Sequence, residues 1–71
     1  MNLMSDAHHG LARCAYMNSK FLDAIHHAEL SLTSNKQQPS VWLLSGWSRY
    51  YSGQFEPAIS DFKTSLSFSV S

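Results

Sequence analysis

The stretch that decides the fold is Tyr50-Tyr51-Ser52-Gly53-Gln54-Phe55-Glu56-Pro57-Ala58-Ile59-Ser60-Asp61-Phe62-Lys63-Thr64-Ser65-Leu66. Thirty-four places earlier the same skeleton stands: Tyr16 for Tyr50, Phe21 for Phe55, Ala24-Ile25 for Ala58-Ile59 and Ser31-Leu32 for Ser65-Leu66. Conservative pairs fill the gaps, with Ala12 against Gly46, Cys14 against Ser48, Ser19 against Gly53 and Thr33 against Ser67. The identities fall at the spacings of one helix face, and a period between 20 and 50 residues sets the architecture before any other feature.

Period and residues together resemble the tetratricopeptide repeat, a 34-residue helix–turn–helix unit with small and aromatic residues at set places. The second copy shows Trp42, Gly46, Gly53, Phe55, Ala58, Phe62 and Leu66, and the first shows Leu11, Ala12, Tyr16, Phe21, Ala24, Ala28 and Leu32. The likeness spans nearly the whole chain. It departs from the pattern at Ser45, where a Leu is usual, and at the repeat ends, where Lys36 and Val70 replace Pro. Ala15 and Arg49 stand at the place of the first helix's Tyr, with Tyr16 and Tyr50 one residue later. The resemblance implies an all-α fold of the α-solenoid type. One domain over 1–71 would hold four antiparallel helices, with repeat 1 near 5–38 and repeat 2 near 39–71.

Reading the residues themselves gives the same four segments. Ser5 is a candidate N-cap for a helix near 6–18, with Asp6 beside its positive end. Ala7, Leu11 and Cys14-Ala15 recur on it at helical spacing as its expected inward face. A second helix over 21–34 carries the stripe Phe21, Ala24, Ile25, Ala28 and Leu32. Pro39 suits the first turn of a third helix over 39–52, which is apolar on more than one side. A fourth, over 55–67, accepts Pro57 in its first turn and repeats the stripe as Phe55, Ala58, Ile59, Phe62 and Leu66. From Ser65 to Ser71 polar and apolar residues alternate, which fits a fraying helix end or a short exposed strand.

Composition narrows the function. The 71 residues have room for one small domain, and five basic residues balance five acidic ones. A balanced charge argues against nucleic acid, whose binding is dominated by phosphate neutralisation. One cysteine makes no internal disulfide, no apolar run reaches the roughly 20 residues of a membrane span, and the N-terminus does not read as a signal peptide. A cytoplasmic protein away from membranes is the expectation.

No catalytic constellation emerges, and no cofactor is implied. His8-His9 and His26-His27 offer one imidazole from each of two helices, a start toward zinc, but neighbouring histidines project about 100° apart and solvated histidines are the better reading. Cys14, matched by Ser48, reads as a packed thiol rather than a nucleophile. Leu43, Trp47, Tyr50 and Tyr51 carry the strongest functional signal, since Trp, Tyr and Arg dominate binding hot spots. The resemblance places them on an inner-helix face beside His9, Arg13, Tyr16 and Met17, as a site for a peptide or helix of a protein partner. The family's carboxylate clamp for chaperone tails is matched only by Arg13 among His9, Arg13, Leu44 and Trp47, so apolar anchors are expected instead.

Two repeats are few for an architecture that buries its faces by stacking. Phe62, Leu66 and Phe68 are expected to form an oligomer or cap interface. It would be used in a homodimer through the fourth helix, with a cap-providing partner, or within a longer array of which this chain is a fragment.

Overall fold

Turn chemistry repeats as faithfully as the side chains do. The computed structural model describes residues 3–69, and four helices occupy them: α1 (Leu3–Met17), α2 (Phe21–Ser34), α3 (Pro39–Tyr51) and α4 (Phe55–Ser69). After α1 the amide of Ser19 donates to the carbonyl of Tyr16 (3.0 Å) and that of Lys20 to Ala15 (2.8 Å). After α3 the amide of Gly53 donates to Tyr50 (3.1 Å) and that of Gln54 to Arg49 (2.8 Å). Both pairs are the 5→2 and 6→1 bonds of a Schellman motif, which turns the chain with one left-handed residue. Ser19 (φ 61°) and Gly53 (φ 89°) supply it.

The link between the hairpins is built differently. Pro39 opens α3 at a position where its missing N–H costs nothing. Gln38 turns its side chain back, and its Nε2 donates to the carbonyls of Asn35 (2.6 Å) and Ser31 (3.0 Å). The end of α2 thereby gains a donor for carbonyls that have no partner within the helix. Trp42 Nε1 donates to the carbonyl of Lys36 (2.8 Å), fixing the same link from the other side.

Each helix packs on the next in sequence, α3 also touches α1, and α4 meets neither α1 nor α2 among the described residues. The result is an all-α slab of about 32 × 26 × 16 Å. Its core is small-residue rich. Ala12, Ala28, Leu32 and Val41 form the buried cluster, with Trp42 and Leu44 packed against it. Ala24, Ile25 and Ala58 complete the buried apolar set. No described helix is long and apolar enough to cross a membrane.

Several expectations are corrected. Helix α1 starts at Leu3, so Ser5 lies inside it and is not its cap. Ala7, Leu11 and Cys14 face outward, and α1 turns Ala12 into the core instead. Cys14 is accordingly an exposed thiol, not a packed one. On α4 the stripe is only half used: Ala58 is buried and Phe62 half-buried, while Phe55, Ile59 and Leu66 are exposed. The helix runs on to Ser69, which removes the strand alternative for 65–69; Val70 and Ser71 lie outside the described residues.

Candidate binding groove

Helices α1 and α3 lie on one side of the slab, and a cleft of about 570 Å³ opens between them. His9, Arg13, Tyr16 and Met17 form one wall, and Ser40, Leu43, Leu44 and Trp47 the other. The residues recur every three to four positions on each helix, so one face of each is committed to the cleft. Met17 remains largely exposed and Leu43 and Trp47 partly so, since no third described helix covers them. Arg13 has no ion pair among the described residues and stands at the edge of an apolar trough.

Tyr50 and Tyr51 do not line this cleft; they extend it as an aromatic ridge. Tyr51 stacks on Phe21 (5.3 Å between ring centroids) and on Trp47 (6.1 Å), and leans on Tyr16 (6.3 Å). Tyr50 meets Trp47 and Phe55 edge-on at 5.9 and 5.5 Å. Such offset and edge-to-face pairs hold rings rigidly at modest cost in entropy. Among the sequence candidates, His9, Arg13, Tyr16, Leu43 and Trp47 therefore share one cleft, and the two tyrosines adjoin it. Ser40 belongs to the wall as well, though it carried no signal beyond its helical spacing from Leu43 and Leu44.

The chain matches no family model, no curated protein and no solved structure.

The surface expected for oligomers or a cap divides in two. Phe62 and Leu66 line a second, apolar cleft of about 490 Å³ with Leu43, Trp47 and Ser65. Phe68 is not part of it. It is half-buried near Gln37 and Pro39, at the link between hairpins. Trp47 borders both clefts, packed edge-on against Phe62 at 5.1 Å.

The histidines do meet across α1 and α2, as one pair: His8 stacks on His27 with centroids 5.8 Å apart. Parallel rings do not converge on one metal ion, and no group of three candidate ligands exists among the described residues.

A polar cluster that the sequence did not announce ties the hairpins together on the opposite side. Arg49 Nη2 donates to Glu29 Oε1 (2.5 Å), and its Nε lies 3.4 Å from Asp61 Oδ2, near enough for an ion pair but too poorly aimed for a hydrogen bond. Ser45 Oγ donates to the same Asp61 oxygen at 2.7 Å. Arg49 thus clasps α2 and α4 from the α3 helix between them. Ser45 and Arg49 are both departures from the repeat pattern, and the clasp is what they build.

Proposed function

We propose that this chain is a non-enzymatic, tetratricopeptide-like interaction module that binds a peptide or helix of a protein partner along the α1/α3 side. The observation that carries this reading is the cleft that gathers Leu43, Leu44 and Trp47 opposite Tyr16 and Arg13. Hot spots are enriched in Trp, Tyr and Arg, and groove-bound helices are read through apolar anchors at helical spacing. A fitting ligand has two or three apolar or aromatic anchors and one acidic residue to meet Arg13. The 34-residue period, and the Schellman turns that repeat with it, support the family reading. The balanced charge favours a protein over nucleic acid as partner.

The test is selection from a displayed random-peptide library on the immobilised chain, followed by titration of the winners. Trp47 borders both clefts and discriminates poorly, so the diagnostic variant is Arg13→Glu combined with Met17→Ala, both exposed and both confined to the groove. Selected peptides should carry apolar anchors with an acidic residue, and the double variant should weaken them at least tenfold while keeping its helicity. Peptides that bind the double variant equally well would place the site elsewhere.

A further inference from the structure

Ile25 and Ile59 are the same side chain at the same place in successive hairpins, as are Leu32 and Leu66. Their surroundings differ sharply. Ile25 and Leu32 are 8% and 6% exposed, Ile59 and Leu66 52% and 63%. Helix α3 packs on α2, whereas no described helix lies on the far face of α4. The mirror of this holds on α1. Val41, Ser45 and Ser48 of α3 are buried in the assembled slab, and their counterparts Ala7, Leu11 and Cys14 are exposed. The molecule presents both halves of a junction that it already makes once internally.

We propose that the far face of α4 takes the outer α1 face of a second copy of this chain, head to tail, repeating the α2–α3 junction between molecules. Side-chain sizes favour a copy as the occupant. In the second seat Phe62 stands for Ala28 and Trp47 for Arg13, so the cleft with Leu43, Ser65 and Leu66 carries bulkier side chains than the matching places of the seat that receives α3. The incoming helix is smaller at two places to match. Ala7 replaces Val41, and Gly10 replaces Leu44 with open space where its Cβ would be. Leu11 in place of Ser45 adds apolar surface where the internal junction has a hydroxyl.

Charge is permissive and sets the strength. The internal junction holds the Glu29–Arg49 pair. Its counterparts between copies are Lys63 and Ala15, which neither repel nor bridge. A helix-on-helix face of this kind falls at the small end of specific interfaces, below about 1,200 Å². Association is therefore weak and concentration-dependent. It is also heterologous: each added copy offers the same two faces again, so growth yields an open chain of molecules and not a closed dimer. Leu43 and Trp47 border both this seat and the peptide groove, but Leu11 and Leu66 lie outside the groove, so the two readings are tested apart.

Light scattering on the 71-residue chain from micromolar to millimolar concentration tests it, with Leu11→Glu and Leu66→Glu as variants at exposed positions. The mass should climb past that of a dimer without a plateau. Each variant alone should stay at the 8.0 kDa of one chain, and an equimolar mixture should give a one-to-one complex and nothing larger. Alkylation of the exposed Cys14 in the unaltered chain is a check that needs no variant, and its rate should fall severalfold as concentration rises. An 8.0 kDa mass at every concentration with constant alkylation overturns the proposal. So does assembly of Leu11→Glu to the same extent as the parent, which would mean that α4 pairs with itself.

Discussion

Ser19 and Gly53 occupy equivalent turns, yet only one of them is glycine. A left-handed backbone costs an ordinary L-residue about 1–2 kcal/mol, and Ser19 bears that cost at φ 61°. Ser19→Gly should therefore stabilise the chain by about 1 kcal/mol, net of glycine's greater freedom in the unfolded state. In a domain of this size that raises the melting temperature by about 4–8 °C. A lowered melting temperature in a thermal scan would count against the turn assignment. Gly46 tests packing rather than backbone. A Cβ there would stand 2.7 Å from Phe62 Cε1 and 3.3 Å from the Ala58 carbonyl oxygen. Alanine is the better helix former by about 1 kcal/mol, but Gly46→Ala should destabilise by about 1–3 kcal/mol because the ring must move. The first hairpin solves the same contact with Ala12 and Ala28. Gly46→Ala with Phe62→Ala copies that solution, so the two substitutions should couple favourably, the pair costing less than the sum in a double-mutant cycle.

Helices differ in how far their residues betray them. The bounds of α2 and α3 and the start of α4 are legible because Pro39, Pro57 and the paired turns at 18–20 and 52–54 punctuate the chain, whereas the far end of α4 is not. The buried face of α1 is not. Ala7, Leu11 and Cys14 make a better apolar stripe than His8, Ala12 and Ala15, and periodicity alone prefers them. The signal that decides it is Ala12 opposite Gly46: a small residue kept in both hairpins where helices approach closely. The α1/α3 cleft was legible because its residues share a helical spacing. The Arg49 clasp was not, since Glu29, Arg49 and Asp61 are far apart in sequence and meet only once α2, α3 and α4 are packed. Burial ranks its members. Glu29 is 56% exposed at its side chain, and Asp61 only 9%. Glu29→Ala should cost at most about 1 kcal/mol, as exposed ion pairs do. Arg49→Ala leaves a nearly buried carboxylate supported by Ser45 alone, and should cost about 2–4 kcal/mol. Urea titration of both variants checks the order, and equal losses would show that Asp61 gains nothing from Arg49.

At the scale of the whole molecule the question is whether two hairpins make one cooperative unit. A chain of 71 residues has on the order of 4–10 kcal/mol of stability to lose. Each hairpin is shorter than the roughly 40 residues below which a lone core seldom suffices. Neither should survive without the other, even though α1 and α4 do not touch. Val41 is the side chain through which the second hairpin enters the buried cluster of the first, beside Ala12, Ala28 and Leu32. Val41→Ala should cost about 2 kcal/mol in lost burial and residual cavity. It should do so without splitting the transition, because a hairpin set loose has nothing to hold it folded. The placement of the tryptophans makes this measurable. Trp42 and Trp47 both lie on α3, so fluorescence follows the second hairpin while far-ultraviolet dichroism follows all four helices. The two signals should coincide in urea for the parent and for Val41→Ala, with a lower midpoint and the same slope in the variant. A fluorescence transition displaced from the dichroic one would show that the hairpins fold separately. The junction at Val41 would then be a contact between two finished units rather than the seam that completes both.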